Sequence, residues 1–247
     1  MAADEWIYGL HAVEALLRRD PGRIRRLRLQ QGREDARLRA LQERAGAAGV
    51  PLERVERRLL DESLGGARHQ GVAAEVRPQP LRGERELPAF LAGLEAPLFL
   101  LVLDGVTDPH NLGACLRSAD AAGVQAVILP RDKAVGLTPV VRKVACGAAE
   151  TLPVFQVTNL ARALRVLRDA GLWIYGAAGE AEQSLYQTDL RGPLALVLGS
   201  EGRGLRRLTR EHCDALLRIP MHGSVASLNV SVAAGVMLFE ACRQRES

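Results

Sequence analysis

The chain has 247 residues, 47% of them hydrophobic, enough to bury one large core or two smaller ones, and no apolar run approaches the eighteen or so residues a membrane helix needs. A formal net charge of +4 fits a polyanionic partner. Cys115, Cys146, Cys213 and Cys242 lie far apart, with no Cys-x-x-Cys pair, which excludes a disulfide framework and a zinc site and predicts four reduced thiols in packed positions with no metal.

Met1-Ala-Ala-Asp-Glu-Trp6 is acidic and lacks a basic segment followed by an apolar one, so no secretory leader is expected and the protein is read as intracellular. From there the elements alternate. Helix is predicted over residues 9–19, an alternating strand over 24–29, a helix over 34–48, a short strand over 52–55 and another strand over 71–76. These make a small α/β domain over residues 1–77. Residues 77–88 hold three prolines, a glycine and mixed charges without apolar period, which reads as an exposed connection, and the linker is placed at 78–92.

The second domain, 93–247, alternates more regularly. Residues 97–103 form a near-continuous apolar run of buried-strand type, followed by a helix over 111–122, a strand over 126–129 and a helix over 139–146. Strands over 152–157, 172–177, 194–198 and 215–219 follow, with helices over 159–170, opened by Thr158 or Asn159 and stopped by Gly171, and over 228–243. The pattern is a parallel sheet covered by helices on both faces.

Three polar clusters stand at the ends of apolar runs in this half. They are Asp108-Pro-His-Asn-Leu-Gly-Ala-Cys-Leu-Arg117, Gly199-Ser-Glu-Gly-Arg-Gly204, and Ile219-Pro-Met221 with Ser227-Leu-Asn-Val-Ser231. Ligands of open α/β sheets collect where strand ends meet, so the three point to one composite site. Taken singly, each also has a structural account. Asn111 and Ser227 suit helix starts, and the glycine loop lacks both the Lys-Ser/Thr of a triphosphate site and the spacing of a dinucleotide fingerprint, which favours a tight turn presenting Glu201. Of 33 basic residues 31 are arginine, only Lys133 and Lys143 being lysine; arginine forks suit phosphates and guanine edges, but base composition of the gene explains the bias as well. With nine aromatic residues, an RNA partner would be held through charge and shape rather than base stacking.

The run from Leu103 through Asp108-Pro-His-Asn111 to Gly123, with Leu196-Val-Leu-Gly-Ser-Glu-Gly202 and Ile219-Pro-Met221 … Ser227-Leu-Asn-Val-Ser-Val232, resembles the three motifs of the SpoU (TrmH-type) RNA ribose 2'-O-methyltransferases of the SPOUT superfamily. Upstream, Tyr8-Gly-Leu-His-Ala-Val-Glu-Ala-Leu-Leu17 and His69-Gln-Gly-Val72 resemble the RNA-binding domain of the branch that methylates a 23S rRNA guanosine. The resemblance implies a ribosomal-protein-like α/β RNA-binding domain, a parallel-sheet domain with a deep trefoil knot, S-adenosylmethionine as methyl donor, a cytoplasmic homodimer, and an RNA rather than a DNA or membrane partner.

Carried over by motif, the catalytic set is Asn111, Arg117, Glu201, Ser227 and Asn229, and the cofactor contacts are Leu198, Gly199, Ile219, Met221 and Leu228. Arg203 and His222 occupy variable positions and receive no role. Arg117 is expected to hold a flanking phosphate and stabilise developing alkoxide charge, since a guanidinium resists deprotonation, with Glu201 orienting Arg117 or the amides. The final apolar helix is a candidate dimer surface, and Arg142 and Lys143 are candidate RNA contacts or a solvated helix face. A tRNA ribose methyltransferase of the same family is the nearest alternative, and a catalytically silent RNA-binding protein the more distant one.

Overall fold

The computed structural model describes residues 5–33, 35–77 and 81–246. Residues 1–4, on which the leader reading partly rests, Glu34 at the start of an expected helix and residues 78–80 of the expected linker lie outside the described residues. The chain divides into two compact units, residues 1–80 with 137–151, and residues 81–136 with 152–247.

The first unit begins with β1 (Glu5–Tyr8), α1 (Leu10–Arg19), β2 (Ile24–Gln30), α2 (Ala36–Ala47), β3 (Leu52–Val55), α3 (Arg57–Ser63) and β4 (Val72–Val76). Its sheet runs β1-β4-β2-β3, with β4 antiparallel to both neighbours and β2 parallel to β3. Along β2, Leu27 and Leu29 turn inward and Arg26 turns outward, the period-two pattern of a half-covered strand. Leu27 and Leu29 meet Val13, Leu16 and Leu17 of α1 and Leu38 and Leu41 of α2 in one core.

His69-Gln-Gly-Val72 holds this unit together. The His69 ring is buried; its Nδ1 accepts from Gly71 N at 3.0 Å, which leaves the proton on Nε2 to donate to Asp61 at 3.0 Å. Gln70 Oε1 accepts from Leu10 N at 3.2 Å, satisfying a backbone donor left open at the start of α1.

The second unit opens with β5 (Arg82–Gly83), α4 (Leu87–Ala92), β6 (Phe99–Asp104), α5 (Pro109–Ala121) and β7 (Ala126–Pro130). Two helices that follow in the chain, α6 (Pro139–Val144) and α7 (Ala148–Thr151), belong to the first unit. There Glu150 is buried between two arginines, accepting from Arg23 Nη1 at 3.0 Å and pairing with Arg142. Arg142 is therefore neither a solvated face nor an RNA contact: its guanidinium is buried against the Glu150 carboxylate. Lys143 is exposed.

The second unit resumes with β8 (Val154–Val157), α8 (Leu160–Asp169), β9 (Trp173–Ala177), β10 (Gln183–Ser184), β11 (Leu194–Gly199), α9 (Arg207–Glu211), β12 (Ala215–Arg218) and α10 (Val230–Arg245). All eight strands are parallel, in the order β10-β12-β9-β11-β6-β7-β8-β5. Every residue of β6 and β11 is buried, as expected for central strands covered on both faces. Strand order reverses between β6 and β11, since the chain steps from β6 outward to β7 and β8 and later returns to place β11 on its other side.

Two further expectations need correction. Part of the stretch read as an exposed connection is packed: β5 pairs with β8, and Leu87 and Leu91 of α4 are buried in the core beside Phe155. The prolines and charges hid two inward leucines. Nor are all four thiols packed, because Cys146 is exposed.

Candidate functional site

The reversal between β6 and β11 leaves a crevice at their carboxyl ends, the place where open parallel sheets bind ligands. Two cavities of the second unit flank it. The first, about 490 Å³, is lined by the ends of β9, β11 and β12 and by the start of α10, including Leu198, Gly199, Leu217, Ile219, Met221, Ser227 and Leu228. All five expected cofactor contacts and Ser227 line it, and its volume lies in the range of small-molecule sites. The second, about 540 Å³, is lined by the loop after β6, by Lys133 and by the loop after β11. Glu201 lines both.

The glycine loop is folded back on itself. Ser200 and Gly204 form an isolated antiparallel bridge, and a Cβ on Gly199 would overlap the carbonyl of Gly204 and the amide nitrogen of Leu205. Gly202 at φ 75° and Gly204 at φ 64° occupy the left-handed region, which favours glycine. The turn thus presents Glu201 from a backbone that tolerates no side chain at Gly199.

Three of the expected catalytic residues are joined by hydrogen bonds. Asn229 caps α10: its Oδ1 accepts from Ser231 N at 2.9 Å and from Ser231 Oγ at 2.6 Å. This fixes which end of the amide is oxygen, so Nδ2 must face inward, where it donates to Glu201 Oε1 at 2.6 Å and to Asn111 Oδ1 at 2.9 Å. Asn111 Nδ2 in turn donates to Glu201 Oε1 at 3.1 Å. Asn111 is itself set by the cap of α5, where the Asp108 carboxylate accepts from His110 N at 2.6 Å and Asn111 N at 3.0 Å. Residues 90 and 118 positions apart from Asn111 are thereby brought into one group. Arg117 lies exposed on α5 and lines neither cavity.

Sequence reasoning missed the clamp beneath this group. The Asp104 side chain is fully buried at the end of β6, accepts from Arg206 N at 2.9 Å and pairs with the Arg206 guanidinium. It ties the far end of the glycine loop to β6. The only signal for it was a lone carboxylate closing an otherwise apolar strand. On the buried face of α5, burial foremost and the nearby Glu201 charge second push the Cys115 thiol up to about 12, so it stays protonated and unreactive.

Residues 98–239 match the SpoU rRNA methylase family, and residues 6–81 match the RNA 2'-O ribose methyltransferase substrate-binding domain. The chain belongs to the SpoU rRNA methylase family. It is 59% identical over 247 residues to the 23S rRNA (guanosine-2'-O-)-methyltransferase RlmB of Shewanella oneidensis, covering 100% of each chain. It is 59% identical over 245 residues to the protein of that name from Pseudomonas aeruginosa, covering 99% of this chain and 98% of the other. Among solved structures it is similar to the AdoMet-bound rRNA methyltransferase from Sinorhizobium meliloti, with 26% identity, a TM-score of 0.76, and 97% of this chain and 87% of that chain covered. The α/β fold with a parallel-sheet methyltransferase domain and the family read from the three motifs are both borne out.

Proposed function

We propose that this protein transfers a methyl group from S-adenosylmethionine to the ribose 2'-hydroxyl of a guanosine in 23S rRNA. The observation that carries the reading is the Asn111–Glu201–Asn229 group, whose Glu201 stands at the boundary of two cavities. Full-length similarity to proteins named for that reaction supports the substrate.

The first cavity fits the cofactor on its own chemistry: Leu217, Ile219, Met221 and Leu228 offer apolar surface to an adenine ring, and Gly199 exposes backbone at close range. When bound there, S-adenosylmethionine supplies a methyl already made electrophilic by its sulfonium. The protein's share is then positioning, exclusion of water and management of one proton. Glu201, its carboxylate held by two amides, orients those amides rather than swinging into solvent. Ser227 lines the cofactor cavity within two residues of Asn229 and offers a hydroxyl to the incoming ribose. Arg117 stabilises the charge that develops on the 2'-oxygen.

Residues 1–77 serve as the RNA substrate-binding domain, and the unit of residues 81–136 and 152–247, which takes in most of the stretch expected to be a linker, carries catalysis. The chain through β12 and α10 is threaded as a deep trefoil knot, a reading supported by membership of the SpoU family. The protein works in the cytoplasm as a homodimer, joined through the α10 face on which Val232 and Phe239 are about half exposed.

Labelled cofactor incubated separately with 23S rRNA, preribosomal particles and tRNA tests the reading. Label on a guanosine ribose of 23S rRNA is expected. Label on tRNA instead would assign the tRNA branch, and label on none would leave an RNA binder without activity.

A further inference from the structure

The two amides of the Asn111–Glu201–Asn229 group are each held by a helix end, Asn111 in the first turn of α5 and Asn229 as the cap of α10. Glu201 has no such support. It sits in the turn between β11 and α9, so the place of its carboxylate depends on how residues 200–205 are closed. Ser200, Glu201, Arg203, Gly204 and Leu205 line both cavities, which makes this loop the wall they share.

Both ends of the loop are fastened to one residue. On the near side Gly199 is the register partner of Asp104, at the last rung between β11 and β6. On the far side Arg206 is gripped by the Asp104 side chain: Oδ2 accepts from Arg206 N at 2.9 Å, and Oδ1 takes the guanidinium through Nε and Nη2. That carboxylate is fully buried, in a strand otherwise made of Phe99, Leu100, Leu101, Val102 and Leu103. Taking it out of water carries a desolvation cost that pairing only about offsets, so the pair is weak evidence for stability, and holding one geometry against others is the use such a pair serves best. The geometry held here is that of the loop.

We propose that Asp104 is a positioning residue for methyl transfer: acting through Arg206, it closes the loop on a fixed path and so sets the Glu201 carboxylate against the amides of Asn111 and Asn229. The proposal rests on the methyltransferase reading above. An apolar residue at position 104 would complete the strand equally well, but it would offer Arg206 nothing to hold and leave the closure of the loop to the Ser200–Gly204 bridge. A role in stability alone would change the melting temperature and leave the three site residues where they stand.

The test uses the full chain with Arg206→Gln, which keeps the backbone bond and removes the guanidinium from a partly exposed position, and with Asp104→Asn, which keeps one acceptor for Arg206 N but turns an amide toward the guanidinium. Two quantities are read below the melting temperature of each variant. One is the pair of side-chain amide proton resonances of Asn229, identified by their absence from Asn229→Asp; the other is kcat on 23S rRNA with RNA and S-adenosylmethionine both saturating, since the same loop also walls the cofactor cavity. Both variants should shift the Asn229 amide signals and lower kcat by up to about 10²-fold, the loss that a displacement of about 1 Å can cause from a residue away from the chemistry. Wild-type amide signals in either folded variant overturn the proposal whatever happens to kcat, and so does wild-type kcat in both. The signals need no turnover, so absence of methyl transfer in the wild type would count against the proposed reaction and leave the closure of the loop by Asp104 to be judged on the signals.

Discussion

The two cavities either side of Glu201 are similar in volume, about 490 and 540 Å³, yet they are walled by different elements. The first is walled by the ends of β9, β11 and β12 and the start of α10, where Leu198, Leu217, Ile219 and Leu228 stand beside Glu180 and Arg210, so its shape depends on where the main chain can go. The second is walled by loops carrying charge, so its behaviour depends on which charges are already neutralised. The difference teaches that substitutions in the first should act through packing, all or none, whereas substitutions in the second should act through salt and by degrees.

Gly199→Ala is the sharpest way to break that contrast. The added methyl has no space beside Gly204 and Leu205, and the loop must move to admit it. A cost of several kcal/mol is expected, with cofactor binding lost in calorimetry. Wild-type cofactor affinity in this variant would show that the glycine loop does not form the cofactor wall.

Asn229→Asp probes the boundary between the cavities. Aspartate still accepts from Ser231 and caps α10, but it loses the donors that Asn229 gives to Glu201 and Asn111 and sets two carboxylates against each other. The helix should survive while kcat falls on the order of 10²–10³-fold, the loss typical of one removed site donor. Unchanged turnover would reduce Asn229 to a cap. Arg117→Lys should cost less, about 10–100-fold in transfer, because charge is kept and the guanidinium fork is lost, with cofactor affinity unchanged. Retained wild-type turnover would remove Arg117 from the reaction.

The same contrast separates what the sequence disclosed from what it hid. Buried central strands such as β6 and β11 announce themselves as unbroken apolar runs, and Asn111, Glu201 and Asn229 stand in polar clusters at the ends of such runs. Their mutual hydrogen bonds were not legible, because contacts across 90 and 118 residues are set by strand order rather than by spacing. The helix over Arg57–Ser63 escaped notice since Leu60 is its only buried residue and its charged face gives no apolar period. Nothing in the sequence marks Glu150 as buried. Only the packing of residues 137–151 with 1–80 shows it as the buried partner of Arg23 and Arg142.

The smallest effect concerns the misread stretch at the start of the second unit. Glu84 accepts from Thr158 N at 3.2 Å and Thr158 Oγ1 at 2.7 Å and pairs with Arg162, fastening residues after β5 to the turn between β8 and α8. The Arg162 hydrogen bond is the main cause that holds its carboxyl down to about 2, with the Thr158 bonds assisting against burial. A carboxylate depressed in the folded state contributes stability that is fully present above its unfolded value, near 4.5, and is lost as pH falls toward 2. Glu84→Gln should therefore melt slightly lower than wild type at pH 7 and approach it as the pH drops through that window. A constant gap between the two melting curves from pH 7 to the acid limit would show that Glu84 acts through its shape alone and that charge plays no part in fastening this segment.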